Sequence, residues 1–163
     1  MDFTTRNSGL GWAFGALLAF GVFGAAHAQA SPIEVSSVAY QEVEVVAADG
    51  TRSIKLEPAA RIAPGGVVVY EITYHNEAAQ PATDVAINNP VARELVYLDA
   101  SVAPSAVSVD GGKRFAPLSE LTVTGADGKP RPAQPADVTH LRWTIASVAP
   151  DAGGKVSFRA RVK

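Results

Sequence analysis

The sequence predicts an all-β domain, two antiparallel sheets packed face to face, behind an N-terminal export signal. Three observations predict it. Apolar side chains recur at every second position from Gln29 onward. Turn-forming pairs of Gly, Asp and Pro interrupt that alternation at short intervals. Almost no stretch repeats with the 3.6-residue period of an amphipathic helix. Turn-bounded runs number about seven to nine, the pattern of a sandwich built from short strands.

The first element to set apart is the leader. Residues 1–7 carry one basic side chain, Arg6, and residues 10–26 (LGWAFGALLAFGVFGAA) carry no charge. Ala26-His27-Ala28 then supplies the small-x-small pattern that a signal peptidase accepts. We therefore divide the chain into a signal peptide over 1–28, a lead-in over 29–40 and a sandwich domain over 41–163. Cleavage is expected after Ala28, with Ala28-Gln29-Ala30 offering a second position after Ala30. The rival reading is a retained membrane anchor. Against it, the run is slightly shorter than the roughly 20 apolar residues a bilayer core requires, so no membrane span is expected after cleavage.

The totals narrow the function. The formal charge is -2 and stays there when Asp2 and Arg6 leave with the leader, too close to zero for an electrostatic grip on nucleic acid or anionic lipid. Cysteine is absent, which removes disulfides and thiolate chemistry. The domain must then be held by its hydrophobic core.

The strands follow in order. Residues 40–46 form the first. Ile54 and Leu56 share a face opposite Lys55. Val68, Tyr70, Ile72 and Tyr74 share a face opposite Glu71, Thr73 and His75, and Val85 and Ile87 continue the theme. Leu121 and Val123 alternate with threonines, and Leu141, Trp143 and Ile145 alternate with Arg142 and Thr144. In the last strand Val156, Phe158, Ala160 and Val162 oppose Lys155, Ser157, Arg159 and Arg161. One buried and one wet face is the signature of antiparallel sheets in two layers. Asp49-Gly50 is expected to supply the positive φ of a tight hairpin. Asp110-Gly111-Gly112, Asp127-Gly128 and Pro64-Gly65-Gly66 mark further turns, and residues 77–81 reverse the chain. Pro90 ends a strand because proline cannot donate to a ladder. The proline-rich run over 129–137 reads as an extended surface loop, and no further module is expected after the last strand.

The run RIAPGGVVVYEITYHNEAAQPATDVAINNPV resembles the Domain of Unknown Function 11 family, the conserved-repeat domain. The residues that carry the resemblance are Pro64, Gly65, Val68, Tyr70, Ile72, Tyr74, Asn76, Val85, Ile87, Asn89 and Pro90. VYLDAS, SVDGGKRF, THLRW and GGKVSFRARVK are similar to short exported proteobacterial members. The resemblance implies an immunoglobulin-like sandwich on bacterial envelope or surface proteins, and it implies no activity. Many members repeat the domain in tandem as stalks; this chain has one copy.

Candidate chemistry is thin. His75 and His140 belong to no metal-ligand spacing and are expected on the surface. Ser147 and Ser157 lack a nucleophile elbow. Glu42 and Glu44 read as a solvated strand face rather than a paired-carboxylate site. Asp84, Asn88, Asn89, Asp99, Asp110 and Asp127 cluster at turns without calcium-loop spacing. A lysine–asparagine amide cross-link would draw on Lys55 or Lys155, Asn76 or Asn88, and Glu71, yet the lysines and the glutamate fall on the polar phase. Tyr70, Tyr74, Trp143 and Phe158 are expected in the core, which leaves Phe115 and Tyr97 as aromatics for a ligand site. Lys155, Arg159, Arg161 and Lys163 form a basic stripe.

No catalytic, cofactor-binding or metal-binding residue is nominated. The expectation is a non-enzymatic, exported module (periplasmic, outer-surface or extracellular) that works by protein binding or assembly. Its first and last strands, residues 40–46 and 155–162, are the expected edges for a protein partner or for self-association. The alternative is a carbohydrate- or small-ligand-binding accessory domain.

Overall fold

A computed structural model of the chain describes residues 33–163. The leader and both cleavage positions, Ala28 and Ala30, lie outside the described residues. Ten strands are described, in the order β1 (Ile33–Val46), β2 (Arg52–Pro58), β3 (Val67–Asn76), β4 (Ala82–Pro90), β5 (Leu95–Ala100), β6 (Ala106–Ser108), β7 (Thr122–Thr124), β8 (Pro130–Pro132), β9 (His140–Val148) and β10 (Gly153–Val162). Every ladder is antiparallel. One sheet has the order β2-β1-β3-β10-β5, the facing sheet the order β4-β9-β6, and β7 pairs with β8 alone. The all-β antiparallel sandwich is therefore the fold, with an open flank described below.

The alternating pattern closes the core where both sheets are present. Val68 and Ile72 of β3, Ile87 of β4, Leu141 and Trp143 of β9, and Val156, Phe158 and Ala160 of β10 form one buried cluster. Trp143 reaches across the layers, its ring centroid 6.4 Å from that of Phe158, while its Nε1 donates to Val102 O. A fully buried Asn76 ends β3. Its side-chain nitrogen donates to Gln80 O and Val148 O at 2.9 Å and to Ala149 O at 3.2 Å, and its Oδ1 accepts from Ala78 N. That one side chain ties together the β3–β4 and β9–β10 connections, both of which pass between the sheets. Gly153 and Gly154 let β10 start close against Tyr74, since a Cβ on either would collide with that tyrosine.

Several sequence expectations are corrected. β1 begins at Ile33, inside the span read as a lead-in. The first and last strands are not outer strands: β1 is flanked by β2 and β3, and β10 by β3 and β5. Sequence order does not fix position in a sheet, because chain reversals between layers leave terminal strands in the middle. The run over 129–137 is not a plain loop. Pro130–Pro132 pairs with Thr122–Thr124, and Pro135–Asp137 forms a 3-10 turn. Two prolines fit this strand because it lies in a two-stranded ladder with a free side. Of Asp49-Gly50, only Gly50 takes positive φ, at 84°. The turn closes with Gly50 N donating to Ala47 O and Asp49 Oδ1 accepting from Thr51 N.

Candidate functional site

The open flank arises from register. β1 pairs with β3 from Ile33 to Gln41 and with β2 from Tyr40 to Val46. The last β1–β3 pair is Gln41–Val68, so the remainder of β1 runs past the end of β3 and continues with β2 as a two-stranded arm. No residue of β2 belongs to the core cluster. Ile54 and Leu56, expected to face a core, are accordingly 61% and 46% exposed, and Val46 beside them is 58% exposed. Their alternation is real, but no second layer stands across from it.

The arm's root is fixed by charge. Arg159 of β10 grips Glu42 of β1 through two hydrogen bonds, Nε to Oε1 at 2.6 Å and Nη2 to Oε2 at 2.9 Å, and its Nη1 reaches Asp99 of β5 at 2.8 Å. Glu42 is thus a half-buried partner, its side chain 15% exposed, and not one of a solvated pair with Glu44. The two carboxylates hold the Arg159 guanidinium well above the ordinary arginine range, Glu42 contributing most. Glu44 binds Arg52 at 2.9 Å along the arm. Lys155 binds Glu71 at 2.8 Å, and Lys163 Nζ donates to Arg93 O. The basic stripe is therefore largely matched on its own sheet.

At the other end of β1 from the arm lies a cleft of about 400 Å³, lined by Ile33 and Val35 of β1 and by residues 82–87 of β4. β4 is an outer strand, and Asp84, with φ 51°, drops out of the ladder without changing its register. The lining is aliphatic apart from Thr83 and Asp84. It suits apolar side chains.

The remaining sequence candidates are dispersed. His75 faces Asp151 at 3.5 Å; His140 meets the edge of Phe115. Asp99 is taken by Arg159, and Asp110 folds its own loop by accepting from Ser108 Oγ, Lys113 N and Arg114 N. Asn88 accepts from Arg142 Nε. The hydrogen-bond partners of the Asn76 side chain are all backbone groups, and Lys55 binds Glu57, so the parts of an amide cross-link do not meet. Phe115 lies under the Arg142 guanidinium, 3.6 Å from ring centroid to carbon. Tyr97 packs against the core, and burial, with Asp99 nearby, pushes its hydroxyl above the ordinary tyrosine range. Sequence reading missed the Arg159 bridge, although alternating parity placed its guanidinium and both carboxylates on one sheet face.

It also missed Arg131, which clamps Asp137 with two bonds of 2.7 Å. That clamp, with a backbone bond from Gln134, holds the Asp137 carboxyl below its ordinary value of 3.8. Unfolding returns the group to the ordinary value, so its stabilisation is complete above that value and is lost as pH falls through the lower folded range. Urea midpoints measured from about pH 6 down to about pH 2 should therefore show Asp137→Asn less stable than the parent at neutral pH and the gap closing in acid. A constant gap would contradict the clamp.

A scan of protein-family models, a search of curated proteins and a search of solved structures each find no match to this chain. The resemblance to the conserved-repeat domain thus rests on the quoted residues. Among the described residues no helix is long and apolar enough to cross a membrane.

Proposed function

We propose that this chain is an exported, non-enzymatic module that acts at the bacterial cell envelope by binding or assembly. The observation that carries the reading is the arm. Ile54 and Leu56 stand in solvent on β2, whose outer edge has no ladder partner among the described residues, and Val46 of β1 stands exposed beside them. A strand edge combined with apolar side chains is what β-strand addition uses. The uncharged leader ending in Ala26-His27-Ala28 supports export, and the resemblance to the conserved-repeat domain supports an envelope setting.

Ligand binding is the weaker reading. Phe115 is covered by Arg142, Tyr97 is packed on the core, and the cleft is lined mostly by aliphatic side chains, so neither nominated aromatic offers an open platform for a sugar among the described residues.

The test follows the full-length tagged chain in a Gram-negative host. We expect a processed form whose first residue is Gln29 or Ser31, recovered outside the cytoplasm. In-cell cross-linking should give a defined adduct that disappears when residues 47–51 and the flanking arm are replaced by a short Gly-Ser turn. An unprocessed cytoplasmic chain, or adducts indifferent to the arm, would overturn the proposal.

A further inference from the structure

We propose that the arm's occupant is a second copy of this chain, joined β2 to β2 across a two-fold axis at Leu56. The inference deepens the assembly reading and rests on it. It starts from which way the backbone of β2 points. Ala59 N donates to Ala39 O and Ala47 N donates to Thr51 O, so the odd positions of β2 direct their backbone groups toward β1. The even positions, Arg52, Ile54 and Leu56, then direct theirs toward the free edge, because these groups alternate along a strand. Pro58 is also even and brings only a carbonyl to that edge.

Side-chain parity sets the register. Lys55 and Glu57 stand on one face, opposite Val43 and Gln41 of β1, while Ile54 and Leu56 stand on the other, opposite Glu44 and Glu42. An antiparallel pair centred on Leu56 places Lys55 opposite the partner copy's Glu57, and Glu57 opposite its Lys55. Opposite charges directly across a ladder are favourable. The Lys55–Glu57 pair already formed within the strand at 3.2 Å becomes a closed square of alternating charge. Centring on Lys55 would set two lysines face to face, which is destabilising. Centring on Ile54 would leave both charges opposite Ser53 and Thr51.

The Leu56 register also suits the edge. The two Leu56 residues exchange N–H···O=C bonds at the axis. On either side Ile54 N–H donates to the carbonyl of Pro58 in the other copy, so the missing proline donor removes only one bond from each outer pair. Leu56 is covered by its own copy, and Ile54 by Pro58. The result joins two five-stranded sheets through their outer strands and occupies an edge that is otherwise an aggregation hazard.

The chain contains no cysteine, so single-cysteine variants of the full-length chain report directly on the pairing. Leu56→Cys puts both sulfurs at the axis, within the Cα separation a disulfide tolerates. Ile54→Cys places them about 13 Å apart along the strands. Under mild oxidation we expect Leu56→Cys to form a covalent dimer at least about tenfold faster than Ile54→Cys. Adding Lys55→Glu or Glu57→Lys to Leu56→Cys should slow coupling by about tenfold, and the two changes together should restore it. All these positions lie on the exposed arm outside the core, so folding is retained, as circular dichroism would verify. Equal coupling at both positions, none at Leu56, or failure of the double exchange to restore coupling would overturn the proposal. The outcomes separate from those of the assembly reading. A processed, exported chain with an arm-dependent adduct and no Leu56 coupling refutes self-pairing alone, whereas Leu56 coupling in an unprocessed cytoplasmic chain refutes the envelope role alone.

Discussion

Phe158→Ala is expected to lower the unfolding free energy by about 3–5 kcal/mol, the usual cost of removing a buried ring. Phe158 is 1% exposed. Its ring stacks on Tyr70 with centroids 4.9 Å apart and planes 9° from parallel, and it meets Trp143 of the facing sheet. The substitution therefore removes a central contact between the two layers. The cavity cannot refill from the surrounding ladders, since neighbouring strands in a sheet hold a fixed spacing. Urea denaturation followed by Trp143 and circular dichroism should show a lower midpoint with an unchanged slope. Ile54→Ala is the internal comparison. The sequence assigns Ile54 and Phe158 the same alternating pattern, yet Ile54 is 61% exposed on the arm, and its loss should fall within about 0.5 kcal/mol of zero. A loss below about 1 kcal/mol for Phe158→Ala, against the value above, would mean that the layers are not joined there.

The contrast between these residues shows what alternation can convey. It reports that a strand has one apolar face, because side chains point to opposite sides with period two. The central strands were legible for this reason: Ile72, Leu141, Trp143, Val156 and Phe158 all lie in the core as their pattern requires. Alternation does not report whether a second layer covers that face. For Ile54 and Leu56 the answer depends on the pairing register, which no local window contains. That register sets both on the outer face of the sheet with Glu42 and Arg159, away from the second layer. The outer strands were misjudged for the same reason, since position within a sheet follows from connections between layers. Charge gave a partial signal. Arg159, Glu42 and Asp99 each sit on the polar phase of a strand, but their convergence needed the order β1-β3-β10-β5. The candidate site was the least legible part, because it consists of backbone groups and aliphatic side chains that no motif marks.

Asn76→Asp is expected to be as damaging as the loss of the central ring, although it exchanges one atom for another of equal size. The Asn76 side-chain nitrogen points at Val148 O and Gln80 O, each 2.9 Å away. An aspartate would place a charged oxygen against those carbonyl oxygens in a fully buried position, leaving acceptors without a donor and a charge without a partner. Such an uncompensated buried charge costs about 3–5 kcal/mol. The pH dependence distinguishes this cause from simple misfolding. Protonation would neutralise the group and restore one donor, so the folded variant would bind its proton more tightly than the unfolded chain does. Its stability should accordingly rise as pH falls from about 8 toward about 5, the reverse of the Asp137 trend. Asn76→Ala, which lacks both donor and charge, should lose stability without that slope. The resemblance to the conserved-repeat domain includes this asparagine at the end of the Val68–Tyr74 alternation, and the clip gives that position a physical reason. Where the chain leaves β3 for the facing sheet and returns from β9 to β10, the carbonyls of two connections need a buried donor. A side-chain amide at that position supplies the donors and the acceptor together. Should Asn76→Asp melt with the parent and show no pH slope, the two connections would have to be held together by something other than this amide.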